Sequence, residues 1–173
     1  GDACGRCSAC LRAAARQHPD LHIVQRREKD DGRLEQSIRI DQVRELQRVL
    51  ALKSFESGRR VVIVLEAERM NPATANALLK TLEEPGEATH FVLVSSGAHL
   101  LLPTIVSRCQ RVRFAPLPRG FIAARIAASA ELTESRADLV AGLANGSLGQ
   151  AMSLANSDVL PARERLLARM DDP

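Results

Sequence analysis

The sequence predicts an α/β layer with a parallel sheet, followed by an all-helical segment. Up to residue 115, apolar runs of strand length alternate with helical periodicities, which is the pattern of strands connected by helices. From residue 116 onward only helical periodicities remain. A chain of 173 residues with 45% hydrophobic and 26% charged residues can bury a substantial core and has the composition of a globular protein.

The composition also excludes several classes of function. No apolar run approaches the roughly 20 residues that a membrane-spanning helix needs. The chain has no Trp, no Tyr and only four Phe, so we do not expect an aromatic surface that stacks single-stranded nucleic acid. A formal charge of +3 permits contact with DNA without implying it.

The first element is a cysteine cluster that runs into a short helix. Cys4, Cys7 and Cys10 form two overlapping C-x2-C units, a spacing that lets thiolates converge on one tetrahedral zinc ion. Three ligands do not close a structural site, so a fourth is expected from a cysteine upstream of residue 1, from His18 or His22, or from water. The alternative is a group of surface thiols without metal.

The cysteines also bear on the origin of the chain. Four cysteines without a secretory signal favour a reducing compartment and metal ligation over disulfides, which predicts a cytoplasmic protein. The sequence lacks an initiator Met and opens inside the cysteine cluster, so we expect it to be a fragment of a longer chain.

A strand, a loop and a helix are predicted next. Residues 21–24 have strand character, and the polar segment 25–35 indicates a surface loop. Asp41 is predicted to cap a helix whose apolar residues fall on one face: Val43, Leu46, Val49 and Leu50.

The central strand is predicted at residues 61–65, a continuous β-branched run typical of a parallel strand that is covered on both faces. Asn71 and Pro72 then supply an N-cap and a first-turn proline for a helix that ends at Pro85–Gly86. Three further elements follow: a strand at 91–94, a helical turn at 103–106 and a strand at 110–114.

The helical segment begins after Pro116 and Pro118. Thr133 and Ser147 are predicted N-caps, and Asn145–Gly146 predicts a helix stop. Apolar residues at helical spacing predict a last helix around Leu166, Leu167 and Met170.

The run 61–65 followed by Glu66 has the shape of a Walker B strand, which delivers carboxylates to Mg²⁺ and to the attacking water. Leu65 stands at the Mg²⁺-binding aspartate position, and leucine cannot coordinate a hard cation. The chain contains no G-x-x-x-x-G-K-[ST] phosphate loop. Taken alone, the pattern fits a buried strand followed by a surface glutamate equally well.

Longer stretches resemble the bacterial clamp-loader branch of the AAA+ family. The stretches are ANALLKTLEEP at 75–85, FVLVSS at 91–96 and LPTIVSRCQ with its SRC motif at 102–110, extended by the cysteine cluster with HPDLH and by GSLGQA at 146–151. The resemblance implies a partial RecA-like AAA+ α/β domain over residues 1–115, with a zinc knuckle at 4–10 and without the first strand and the phosphate loop. It implies a helical lid domain over 116–173.

The same resemblance implies roles for single residues. The ATPase subunits of this branch (gamma/tau) have an Asp-Glu Walker B and a sensor 2 arginine, whereas this chain has Leu65–Glu66 and Gly149. These departures imply a subunit that does not itself hydrolyse ATP. The resemblance makes Arg108 an arginine finger that reaches a neighbour's nucleotide, with Ser107 and Cys109 supporting it and Ser95–Ser96 at the sensor 1 position. The alternative for Arg108 is a helix-end cation or an ion-pair partner.

As partners, the resemblance implies gamma/tau ATPase subunits and a delta subunit, and through their complex a sliding clamp and primed DNA, with no membrane. It also implies a place in the DNA polymerase III holoenzyme and at the nucleoid through the replisome, with structural Zn²⁺ and no ATP hydrolysis by this chain. Two rival interpretations are a gamma/tau-type ATPase subunit whose phosphate loop lies upstream, and a zinc-knuckle module that binds DNA.

Overall fold

The structure is a computed structural model that describes residues 3–56, 58–86, 88–130, 132–158 and 161–162. The chain divides into two compact units, Gly1–Arg111 and Val112–Pro173. None of the helices in the described part combines the length and the apolar character that crossing a bilayer requires.

The first unit contains a three-stranded parallel sheet in the order β1-β2-β3. The strands are β1 Leu21–Val24, β2 Arg60–Val64 and β3 Thr89–Leu93. The helices of this unit are α1 Ser8–Ala14, α2 Ile40–Leu50, α3 Pro72–Glu83 and the short α4 Pro103–Val106. The predicted α/β layer with a parallel sheet is therefore confirmed.

The core of this unit lies on one face of the sheet. Val62 and Val64 are buried there against residues of α2 and α3: Val43, Leu46 and Leu78. Burial along β2 therefore alternates, and Val61 and Ile63 on the other face are only half-buried. The expectation that β2 is covered on both faces was wrong, because α2 and α3 add their apolar residues to the same face.

The start of α2 differs from the prediction. The helix begins at Ile40, so Arg39 occupies the N-cap position, and its backbone N–H donates to Gln42 Oε1 at 3.0 Å. Asp41 lies in the first turn, where its carboxylate faces the positive end of the helix dipole and pairs with Arg27 Nη1 at 2.7 Å. Asp41 is therefore an ion-pair partner and not the cap.

The strand predicted at 110–114 is not formed, although the start of α3 is as predicted. Asn71 caps α3 by accepting a hydrogen bond from the backbone N–H of Thr74 at 2.8 Å. Residues 110–114 have no strand geometry, and Phe114 is 93% exposed. A strand needs a paired neighbour, and among the described residues no backbone hydrogen bond joins 110–114 to the sheet.

The second unit is helical over its described part: α5 Arg119–Ala130, α6 Glu134–Leu143 and α7 Leu148–Ala155. Its core contains Ile122, Ile126 and Val140. Ser147 caps α7 by accepting from the backbone N–H of Gln150 at 3.2 Å, as predicted. Thr133 occupies the cap position of α6, but its side chain makes no capping hydrogen bond. The helix predicted around 166–170 lies outside the described residues.

Candidate functional site

The structure brings the three predicted metal ligands together. The sulfur atoms of Cys4, Cys7 and Cys10 all lie within 4.8 Å of one another, and Cys4 Sγ is 4.0 Å from Cys10 Sγ. A tetrahedral zinc ion with Zn–S bonds of about 2.3 Å places its sulfur ligands about 3.8 Å apart. The cluster can therefore bind a metal ion, and its thiolate donors suit zinc.

The local backbone prepares one of these thiols for ligation. The backbone N–H groups of Arg6 and Cys7, the latter 3.3 Å from Cys4 Sγ, lower the pKa of the Cys4 thiol to about 7. The backbone N–H of Cys10 lowers the pKa of Cys7, but the neighbouring thiols outweigh it, so the net direction for Cys7 is upward. These contacts with Cys10 and Cys4 favour the protonated thiol of Cys7, whereas a bound cation would favour its thiolate.

Neither histidine proposed as a fourth ligand belongs to this group, as far as the described residues extend. His18 Nδ1 accepts the backbone N–H of Asp20 at 3.2 Å, and His18 Nε2 lies 3.7 Å from Glu56. His22 lies within β1, where burial and the charge of Arg60 lower its pKa. Both imidazoles thus lie among other residues of the first unit, outside the cysteine cluster.

A second group of polar side chains lies where the parallel strands end. Glu66 follows β2 and accepts two hydrogen bonds of 2.8 Å from Arg26 Nε and Nη2, while Arg26 Nη1 donates to the carbonyl of Glu35 at 3.2 Å. The Arg26 side chain is 17% exposed, and its hydrogen bonds to Glu66 raise its already high pKa. The one acidic residue of the Walker B pattern is therefore held by a guanidinium.

The serines after β3 contact another carboxylate. Ser96 Oγ donates to Glu68 Oε1 at 2.7 Å, whereas Ser95 Oγ bonds to the backbone of Gly97. Burial raises the pKa of Glu68, but hydrogen bonds from Ser96 and Ser95 help to lower it by more than burial raises it. The pKa of Glu68 is therefore lowered overall. The hydroxyls of Ser95 and Ser96, which the resemblance assigns to sensor 1, thus both have partners within the chain.

Arg108 lies on the surface in the turn that follows α4, where its backbone N–H donates to the carbonyl of Ile105 at 3.1 Å. Its Nε donates to Glu83 Oε1 at 2.8 Å, and its Nη2 makes a second contact with the same oxygen. Its Nη1 donates to the carbonyl of Thr104 at 2.9 Å and lies 3.4 Å from Ser107 Oγ. The guanidinium is accessible, but it is held within its own chain.

The other predicted site residues have plain structural surroundings. Ser107 Oγ donates to the carbonyl of Thr104 at 3.1 Å. Cys109 is half-buried, and burial raises the pKa of its thiol. Gly149 is the second residue of α7, and a Cβ added there would meet nothing within 4 Å.

Sequence reasoning singled out neither Arg26, which lies in the polar segment 25–35, nor Glu83. A signal for Arg26 exists, because Arg26 and Glu66 each stand two residues beyond the last residue of neighbouring parallel strands. The carboxyl ends of parallel strands meet at one edge of a sheet, so equal offsets bring two side chains together. No comparable signal exists for Glu83 and Arg108, which are 25 residues apart on separate helical segments.

Solved structures with the same fold define the class of protein. A mutant of RuvB from Thermotoga maritima matches with a TM-score of 0.56 at 18% identity, covering 95% of this chain and 52% of that chain. A DNA polymerase III gamma subunit-related protein from T. maritima matches with a TM-score of 0.52 at 30% identity, covering 75% of this chain and 44% of that chain. The fold is accordingly of the AAA+ type.

Sequence relatives place the chain within that class. Residues 1–118 match the family described as DNA polymerase III, delta subunit, and the chain belongs to this family. DNA polymerase III subunit delta' is 45% identical over 116 residues in Pseudomonas aeruginosa and 36% identical over 165 residues in Escherichia coli. Those matches cover 67% and 94% of this chain but only 34% and 47% of the relatives, so the chain spans less than half the length of each.

Proposed function

We propose that the chain is part of a clamp-loader subunit of DNA polymerase III. This subunit does not itself hydrolyse ATP, and it supplies an arginine to a neighbouring subunit. In the complete protein, this subunit supports a ring with gamma/tau ATPase subunits and a delta subunit. The ring loads a sliding clamp on primed DNA during replication. Membership of the delta subunit family supports this assignment, as do the relatives named subunit delta'.

The observation that carries the proposal is the state of the carboxylates after β2. Hydrolysis in this class needs one carboxylate for Mg²⁺ and one for the attacking water. Leu65 provides no ligand for Mg²⁺, and both oxygens of Glu66 accept hydrogen bonds from Arg26. A chain with this arrangement contributes to catalysis only through a group that it offers to another subunit.

Arg108 is the group that fits such a contribution. Its guanidinium is permanently charged and its side chain is 36% exposed, so the phosphates of a neighbour's nucleotide can reach it. A planar fork of N–H donors offsets the charge that develops on a transferred γ-phosphoryl group. Ser107 and Cys109 act as supports, since Ser107 Oγ bonds to the local backbone and Cys109 is half-buried.

The domains fit the same role. We assign residues 1–115 to a partial AAA+ domain and 116–173 to a helical lid. Gly149 in α7 has no side chain, which fits a lid without a sensor 2 cation.

We further propose that Cys4, Cys7 and Cys10 bind a structural zinc ion. The close approach of the three sulfur atoms supports this, and the thiolate donor set is one that zinc prefers. When bound, the ion would hold residues 4–10 together and would have no catalytic role, since no acid or base of the described residues is grouped with these ligands.

The test is the DNA- and clamp-stimulated ATPase rate of a reconstituted complex that contains the complete chain, as wild type and as Arg108→Ala. An arginine finger contributes about 10³-fold or more where it is sole and essential, but several sites share the work here, so we expect a partial loss. Arg111→Ala is the matched control, because Arg111 is an exposed arginine three positions away.

Assembly is checked in parallel by gel filtration. An unchanged rate in Arg108→Ala, with assembly intact, would make the SRC motif structural. Turnover of Mg-ATP by the complete chain alone would instead favour a gamma/tau-type ATPase, to which the chain is also similar: subunit tau of Bacillus subtilis is 30% identical over 139 residues.

A further inference from the structure

The donors of Arg108 are directed at partners in its own chain. A guanidinium has five N–H donors. The Nε and Nη2 atoms contact Glu83 Oε1, and Nη1 donates to the carbonyl of Thr104 and approaches Ser107 Oγ. One N–H of Nη2 is left over, whereas a phosphate that is held bidentately needs two neighbouring N–H groups. Arg108 therefore has to release one of its partners before it can hold a phosphate in this way.

Glu83 is the partner that is most readily exchanged. It is the last residue of α3, where a carboxylate faces the negative end of the helix dipole. The side chains of Arg108 and Glu83 are 36% and 48% exposed, and ion pairs at such exposure are weak. The contacts with Thr104 and Ser107 come from the same turn as Arg108 and can persist when Glu83 is displaced.

We propose that Glu83 is a positioning residue for Arg108: it is an internal counter-ion that holds the guanidinium until a phosphate of the neighbouring subunit's nucleotide takes its place. This inference rests on the proposed function of Arg108. The phosphate has an advantage in the exchange, because a nucleoside triphosphate bears more negative charge than one carboxylate. Glu83 thus orients the finger and competes with its ligand.

The first test measures the accessibility of Arg108 without any ATPase assay. The complete chain is treated with phenylglyoxal, which modifies arginine side chains, and the modification rate at Arg108 is followed by mass spectrometry. Glu83→Gln should raise this rate about two- to fivefold, and 1 M NaCl should raise it in the wild type but not in Glu83→Gln. Glu84→Gln is the matched control, since Glu84 is an exposed neighbour at the same helix end.

The second test is a double-mutant cycle on kcat/KM for ATP in the reconstituted complex. Glu83→Gln should raise kcat/KM about twofold, and this rise should vanish in Glu83→Gln/Arg108→Ala, because Glu83 acts through Arg108. A merely structural role for Glu83 would give the same change with and without Arg108. Glu83→Asp, which keeps the charge, should restore the wild-type rate of phenylglyoxal modification more closely than Glu83→Gln does.

The outcomes separate the two proposals. If Arg108→Ala leaves the ATPase rate unchanged, the proposed function is wrong and this inference falls with it. If Arg108→Ala lowers the rate but Glu83→Gln leaves both the accessibility of Arg108 and kcat/KM at wild-type values, only this inference is wrong. A fall in Glu83→Gln to the level of Arg108→Ala would make Glu83 a permanent support that no phosphate displaces, which also overturns it.

Discussion

At Leu65 and Glu66 the strand end of the Walker B pattern is present, but the two free carboxylates that ATP hydrolysis needs are not. The backbone after β2 keeps a carboxylate at the sheet edge, but Arg26 holds it with two hydrogen bonds of 2.8 Å. Glu66 has a left-handed backbone conformation with φ of 48°, which is unusual for a residue other than glycine. Leu65→Asp would supply a carboxylate for Mg²⁺ but not one for the attacking water, since Glu66 would still be paired with Arg26.

Glu68 makes the fold sensitive to acid. Burial raises the pKa of Glu68 in the folded chain, but hydrogen bonds, including those from Ser96 and Ser95, outweigh burial and lower it. A carboxyl group with a lowered folded pKa stabilises the fold above its unfolded pKa, and this contribution is lost as the pH falls through the folded value. We therefore expect Glu68→Gln to reduce the free energy of unfolding most at neutral pH, and this effect should shrink as the pH falls through the lowered pKa of Glu68.

Urea unfolding at several pH values measures this effect. Glu84→Gln serves as the control, because Glu84 is an exposed carboxylate at a helix end. A difference between Glu68→Gln and the wild type that stays constant from pH 7 to about pH 3 would show that the charge of Glu68 has no part in it.

The helix α3 depends on its cap. Asn71 accepts the backbone N–H of Thr74 at 2.8 Å, which satisfies one of the donors that a helix start leaves unpaired. Asn71→Ala should lower the free energy of unfolding by about 1 kcal/mol, and Asn71→Asp should keep most of it. Asn76→Ala is the control, since Asn76 is exposed inside the same helix and alanine is the better helix former.

Chemical denaturation of the three variants provides the measurement. An equal loss in Asn71→Ala and Asn76→Ala would mean that the cap does not determine the stability of α3. The result also matters for the site, because α3 ends at Glu83 and so presents the partner of Arg108.

Elements with strong local signals could be predicted from the sequence, and elements that depend on distant partners could not. Asn71 and Pro72 define the start of α3 within a few residues of chain, so α3 was predicted well. Residues 110–114 alternate like a strand but have no strand to pair with in the described part of the chain. Asp41 is a good capping residue by type, yet the hydrogen bond between Arg39 and Gln42 lets α2 begin at Ile40, two residues before the start that a cap at Asp41 would give.

The same distinction holds for the candidate site. The spacing of the cysteines predicted their cluster because the three positions lie within one short segment. The contact of Arg108 with Glu83 joins residues that no local pattern relates, and only the structure shows that His18 and His22 do not lie with the three cysteines. Side-chain partners across a fold follow from packing, which a single sequence does not reveal.

Considered as a whole, the described chain has two apolar cores, one in each compact unit. The cysteine cluster and α1 belong to neither: α1 has no buried residue, and Arg12 and His18 connect this segment to Glu56. Arg108 contacts a different set of residues, Glu83, Thr104 and Ser107. The cysteine cluster and the arginine are therefore separate parts of the first unit.

This separation predicts what loss of the proposed zinc ion would do. On that proposal, Cys10→Ser should remove most of the zinc from the complete chain and lower its melting temperature by a few degrees, because the ion would close a segment that buries little apolar surface. Cys109→Ser, at a half-buried cysteine outside the cluster, should keep the zinc. In the reconstituted complex, the ratio of the ATPase rates of wild type and Arg108→Ala should be the same with and without Cys10→Ser. Metal analysis, thermal melting and the ATPase assay check these three statements. A Cys10→Ser complex that assembles normally but no longer responds to Arg108→Ala would show that the cysteine cluster does affect the action of Arg108.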